Sequence, residues 1–186
     1  MISYDQAYKE LNILFKTYQD EEYSHHIFTT MFDYYALPTD FPDFTQARNI
    51  QDKYELIKKL ESSFETAIDE QRFIPYIQLH EFESLVFCGL EFLKDIYPNC
   101  NKAINILSKT LNEFKNPELI NHGTETAPSK RIIKAIESMC QTKYKYNKPK
   151  TGKYITGAIG IEALREKCPH FNEWIEKILN TWRFLW

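Results

Sequence analysis

Residues 72–85 read RFIPYIQLHEFESL. The mostly apolar run from Phe73 to Leu79 is too short for a stable helix and rich in strand-forming residues, so it reads as a buried strand. Pro75 removes one ladder donor, which suits a strand start or an edge. The run stops abruptly on His80, Glu81 and Glu83. Upstream, HHIFTTMF at His25–Phe32 has the same β-branched and aromatic character without a helical period, and predicts a first strand that ends at Asp33. A helical period fills the interval: Tyr54, Ile57, Leu60, Phe64 and Ile68 share one face of a helix over residues 51–69. Strand, helix, strand is a βαβ unit, and its two strands should be parallel. Two strands make a short sheet for a parallel fold, so the sheet should be completed elsewhere, by a second copy or by another polypeptide segment.

The remaining sequence is mainly helical. Ser3 and Gln6 resemble a capping box ahead of a helix at 4–18. DYYALPTDFPDF at 33–44 carries prolines and aspartates and reads as a loop. A helix follows Glu83, with a break near Gly89, and another spans 103–114. Thr126 can cap a helix that has Pro128 in its first turn. Residues 142–153 read as a basic loop, followed by helices over 155–167 and 169–185. The fold class is therefore α/β, with a short parallel sheet flanked by helices. A single domain is expected, with a βαβ core over 1–100 and a helical part over 101–186.

The totals narrow the function. The chain has 186 residues, 43% of them apolar and 15% aromatic, enough for a sizeable core. Its net charge of -3 gives no global field that would draw it onto nucleic acid. Locally the balance reverses. Ser129–Lys153 holds eight cations (Lys130, Arg131, Lys134, Lys143, Lys145, Lys148, Lys150 and Lys153) against one acid, Glu137. Tyr144 and Tyr146 lie among them, and phosphate contact with base stacking would use this composition. A solvated loop would use it equally. Cys88, Cys100, Cys140 and Cys168 form no CxxC pair and read as reduced cytoplasmic thiols. No signal peptide and no apolar run of about 20 residues is present, so no membrane association is expected. The motifs of zinc sites, serine hydrolases, P-loops and dinucleotide folds are also missing, so the chain is not expected to hydrolyse ATP itself.

In parallel α/β sheets, ligands collect at the carboxyl ends of the strands. That edge would gather Asp33, Glu81 and Glu83, an all-oxygen set suited to Mg²⁺ or Mn²⁺, with Asp40 and Asp43 near enough to lean in. Glu81 and Glu83 equally suit first-turn acids favoured by the helix dipole, and spacing leaves both readings open. His80 would position water or phosphate, or serve as a hydrogen-bonded structural histidine. TETAPSKR at 124–131 places Thr126, Ser129, Lys130 and Arg131 at a helix start, where an anion or an ordinary cap would fit.

Four ordered segments, TTMFDYYALPTDFP, RFIPYIQLHEFESLVF, NPELINHGTETAPSKRI and AIGIEALREKCPHFNEWI, together resemble a widespread bacterial family of unknown function placed among the Toprim-like proteins. The resemblance covers about residues 27–178. It implies a Toprim-like fold related to topoisomerase and primase catalytic domains and to overcoming-lysogenization-defect nucleases. It also implies an acidic Mg²⁺ site for phosphodiester chemistry on DNA or RNA. Asp33 matches the first acid of a DxD-type motif, Glu81 and Glu83 the HEFE motif, and Lys130 and Arg131 the SKR motif. An ABC-type ATPase partner and a role in anti-phage defence are implied as well. Two departures matter. The strand and glutamate that usually precede the first helix are absent, and Tyr35 replaces the second Asp of DxD. Two functions are therefore expected to compete: a Mg²⁺-dependent nuclease, and a catalytically degenerate binding or regulatory subunit. A small-nucleotide phosphoryl-transfer enzyme is a weaker third. A homo-oligomer or a complementing N-terminal segment would complete the site.

Overall fold

The structure is a computed structural model and describes residues 3–19, 25–121, 123, 125–140 and 144–185. The chain is a helix-rich α/β protein. It packs as two compact units, Met1–Ile77 with Glu173–Trp186, and Gln78–Asn172.

In the first unit, α1 (Tyr4–Thr17) opens on Ser3, whose hydroxyl accepts the Gln6 amide at 3.2 Å. The predicted capping box is half formed, because the Gln6 side chain turns to Glu10 instead. Each predicted strand is split in two. The first becomes β1 (Phe28–Thr29) and β2 (Phe32–Asp33), and the second becomes β3 (Phe73–Ile74) and β4 (Ile77–Gln78). β1 and β3 are parallel, with Phe28 opposite Phe73 and Thr29 opposite Ile74. Pro75 explains the split, since it has no N–H to continue the ladder. Threonine hydroxyls bridge the gap. Thr29 Oγ1 donates to the Ile74 carbonyl at 2.6 Å, and the Tyr76 amide donates to Thr30 Oγ1 at 3.3 Å. Phe32 N–H then reaches the Tyr76 carbonyl at 3.2 Å as β2 pairs with β4.

Between the strand pairs, the predicted loop holds a 3₁₀ turn at Tyr34–Ala36 and a single helical turn, α2 (Phe44–Ala47). Helix α3 (Lys53–Ile68) starts on Asp52, which accepts the Tyr54 and Glu55 amides, and stops at Asp69 in the left-handed region. Its face is as predicted, with Ile57, Leu60 and Phe64 fully buried. The core is aromatic, with edge-on contacts of 4.9–5.1 Å joining Phe15 to Phe28, Phe41 to Phe64 and Phe64 to Phe73.

The second unit is helical. After α4 (Glu83–Val86), the chain tightens into a 3₁₀ segment at Phe87–Phe92 with non-helical Gly89 inside it, the break expected from sequence. Next come α5 (Leu93–Ile96), α6 (Asn101–Asn112), a 3₁₀ turn at Pro117–Leu119 and α7 (Pro128–Met139). The second half of the predicted basic loop opens α8 (Lys148–Ile159): Asn147 caps it by accepting the Lys150 amide at 3.0 Å, and Pro149 sits in its first turn. Gly160, at φ 79°, ends it, so the single helix predicted over 155–167 becomes α8 and α9 (Ile161–Lys167). Helix α10 (Pro169–Leu185) has the predicted bounds. Val86, Leu90, Leu107, Ile132, Ile136 and Ile155 form the centre of this unit's core.

The cysteines correct the reduced-thiol reading. Cys100, before α6, and Cys140, after α7, form a disulfide across a separation of 40 residues. The two helices they flank pack on each other, which spacing could not show. Cys88 and Cys168 are free and buried, with sulfurs 3.4 Å apart. Among the described residues, no helix is long and apolar enough to cross a membrane.

Candidate functional site

The acids of HEFE lie in the second unit, where α4 packs against α7 and α8. Residues 78–83 are closed from solvent apart from part of Phe82, and the Leu79–His80 peptide is cis. Glu81 turns towards the start of α7. Its Oε2 accepts the Ser129 amide at 2.9 Å and its Oε1 accepts the Ser129 hydroxyl at 3.1 Å. Thr126, the predicted cap, makes no capping bond, and the N-cap position belongs to Ala127. The cap is tertiary: a carboxylate 48 residues away offers two acceptors to a helix N-terminus that attracts negative charge.

Glu83 is buried as well and lies 3.3 Å from Lys148 Nζ at the first residue of α8. Close helix contact makes this pair possible. A Cβ at Gly152 would stand 2.6 Å from the Phe82 ring, so glycine lets α8 lie directly against the HEFE segment. Tyr97 fixes the entry to α8, with its OH 2.7 Å from Thr151 Oγ1 and accepting the Asn147 amide at 3.1 Å. Tyr146 lies close enough to both acids to feel their charge. Its buried hydroxyl finds no hydrogen-bond partner among the described residues, and burial, then Glu83, hold it protonated far above the ordinary phenol range.

Asp33 ends β2 in the first unit, whereas Glu81 and Glu83 belong to the second. Asp40 accepts the Tyr4 amide at 3.4 Å, and Asp43 is paired with Lys59 at 2.6 Å and Ser63 at 2.8 Å. Those two bonds, Lys59 first, hold Asp43 below the ordinary carboxylate range. His80 is buried, and so is Ser129 behind Glu81. Arg131 ties down its own loop: Nε donates to the Thr126 carbonyl at 2.7 Å, a terminal nitrogen reaches Asn121 at 3.3 Å, and the guanidinium lies over the Phe114 ring. Lys130 points to solvent. Tyr144 and Tyr146 are half-buried and pack against the core beside Tyr97. Thr124 and Lys143 lie outside the described residues.

Among the described residues, no group of three or more His, Cys, Asp or Glu could hold a metal ion. The donor set agrees with that. Both Glu81 oxygens already accept from Ser129, and Glu83 faces an ammonium, so these residues do not fit a resident Mg²⁺ or Mn²⁺ without further oxygen donors.

A family model described as Domain of unknown function (DUF4276) matches residues 2–179. The chain belongs to the DUF4276 family. No curated protein and no solved structure matches it. The family's description carries no activity, so the chemistry of this DUF4276 chain has to be argued from its own residues.

One consequence is measurable. Burial pushes the Glu83 carboxyl above its ordinary range; Lys148 lowers it in part and Glu81 raises it further. The folded state therefore holds a proton over a pH window in which the unfolded chain has lost it, and the stability this provides is lost as pH rises through the raised value. Glu83→Gln should remove that loss. In urea titrations from about pH 4 upward, wild type should lose stability relative to the variant as pH increases. A relative gain would contradict the assignment.

Sequence reasoning missed Glu118. It is fully buried, and its carboxylate accepts the His170 and Phe171 amides at 3.0 and 2.9 Å at the start of α10. The only local signal was its place after Asn116-Pro117, which reads as a turn.

Proposed function

We propose that this DUF4276 chain is a nucleic-acid-binding subunit that contacts phosphate through α7 and α8. The observation that carries this reading is a set of uncommitted cations. Lys130, Lys134, Lys150 and Lys153 are exposed, and none makes an ion pair with another described residue. Lysines held on helices, in a chain of net charge -3, keep a local positive field without a global one. Meanwhile Glu81 is buried and hydrogen-bonded to Ser129, and Glu83 is buried and paired with Lys148, so neither presents its carboxylate to solvent.

Binding of labelled DNA and RNA oligonucleotides should weaken steeply with salt. Each lysine lost should lower the log–log slope by about 0.7–0.9 for every phosphate contact removed. Replacing all four lysines by alanine should flatten the dependence and cost well over tenfold in affinity at low salt. Salt-independent binding, or no binding at all, would sink the proposal.

Mg²⁺- or Mn²⁺-dependent phosphodiester hydrolysis is the second reading. One observation favours it: a buried, upshifted Glu83 beside Glu81 is the kind of perturbed pair that clusters at functional sites. Its metal would need oxygen donors beyond these two, Asp33 being the one the sequence offers. Cleavage by the isolated chain with either ion would establish this reading over plain binding. A Toprim-like fold, an ABC-type ATPase partner, a role in anti-phage defence and a cytoplasmic location complete the proposal, all resting on the resemblance. The Cys100–Cys140 disulfide withdraws the thiol argument for that compartment.

A further inference from the structure

One face of α8 carries more than charge. Lys150, Lys153, Tyr154, Gly157 and Ala158 line an open groove of about 530 Å³. They follow the i, i+3, i+4, i+7, i+8 spacing of a single helical face, and all five are exposed, whereas Thr151, Gly152 and Ile155 on the other side are buried. Tyr154 is 44% exposed, yet it is not loose: its hydroxyl donates to Asp95 at 3.1 Å, which fixes the ring while leaving a face to solvent. Gly157 is the second glycine of this helix and differs from the first. Gly152 is explained by the Phe82 ring, but a Cβ at Gly157 would meet nothing within 4 Å. A mid-helix glycine is unfavourable relative to alanine, and internal packing does not account for this one. It leaves room above the helix next to the tyrosine.

We infer that this groove is a single-strand subsite, in which a nucleobase stacks on Tyr154 over Gly157 and Ala158 while Lys150 and Lys153 hold the flanking phosphates. A planar, anchored aromatic between cations matches a ligand that alternates planar rings with phosphates. Bases within a duplex are stacked on each other and do not offer their faces, so the subsite selects single strands. An acidic peptide would satisfy the lysines but leave the ring without a matching plane. This inference rests on the nucleic-acid reading above and specifies its ligand.

The test is fluorescence anisotropy with a labelled oligo-dT strand and a duplex of equal length, at fixed low salt. Wild type should prefer the single strand. Tyr154→Ala should weaken single-strand binding about tenfold or more, with the salt slope unchanged because no charge is removed. Tyr154→Phe, which keeps the ring, should retain most of the affinity. Gly157→Leu, which fills the groove without touching charge, should reproduce the loss, and thermal unfolding should show both losing variants folded. Equal weakening on strand and duplex, unchanged binding in Tyr154→Ala, or displacement by polyglutamate as effectively as by unlabelled oligo-dT would each overturn the subsite while leaving nucleic-acid binding in place. If wild type binds neither form, the function proposed above fails, and this inference with it.

Discussion

Glu81→Ala should destabilise the protein by about 2–4 kcal/mol in the absence of any metal, because it strips two buried donors of their acceptor. The Ser129 amide sits in the first turn of α7 and its hydroxyl is closed from solvent, so water cannot readily replace the carboxylate. For a chain of this length the loss corresponds to a fall in Tm of about 5–15 °C. Glu81→Gln should cost less, since one amide oxygen can still accept. The sign of the effect separates two roles. If Glu81 served only to hold metal, removing it would relieve its repulsion of Glu83, and the metal-free protein would gain stability. A cap predicts the opposite. A double-mutant cycle with Ser129→Ala should show coupling, since the two residues share one pair of bonds. A stable Glu81→Ala protein, or additive effects in the cycle, would remove the capping role.

Glu118→Ala should have the larger effect, about 3–5 kcal/mol, seen as a lower urea midpoint. The carboxylate is completely buried and takes two backbone amides at the start of α10, a helix of 17 residues. Pro169 occupies the first position and has no amide to offer, so the next two, His170 and Phe171, are the ones that need an acceptor. Alanine would take this acceptor from both amides at a buried helix end. Glu118→Asp would shorten the reach and should restore only part of the stability. A change below about 1 kcal/mol would show that another group takes over the cap.

These two glutamates share a role with a third. Glu61, also buried, accepts the Ile77 amide at 2.8 Å, just beyond the proline that interrupts the ladder. In each case a carboxylate from a distant part of the sequence satisfies backbone donors that local structure leaves open. Long-range pairs thereby satisfy these buried amides. This explains why HEFE was ambiguous from sequence. Acids at the end of an apolar run fit a metal site, a local first turn or a remote cap equally well, and only the partner distinguishes them.

The sequence by itself determined the elements whose causes are local. The helical faces of α1 and α3, the serine cap, the break at Gly89 and the bounds of α10 follow from periodicity and from residues a few positions apart. The parallel pairing of β1 and β3 was also legible, because a helix of fixed length between two apolar runs permits little else. Tertiary structure alone decided which acids would meet which donors. It gave Glu81 to Ser129 and Glu83 to Lys148, joined Cys100 to Cys140, and turned part of a presumed basic loop into one helical face holding Lys150, Lys153 and Tyr154. The physical reason is common to the acids and the thiols. A buried charge or thiol is placed by desolvation and by the partner that offsets it, and that partner lies tens of residues away, where no local pattern encodes it.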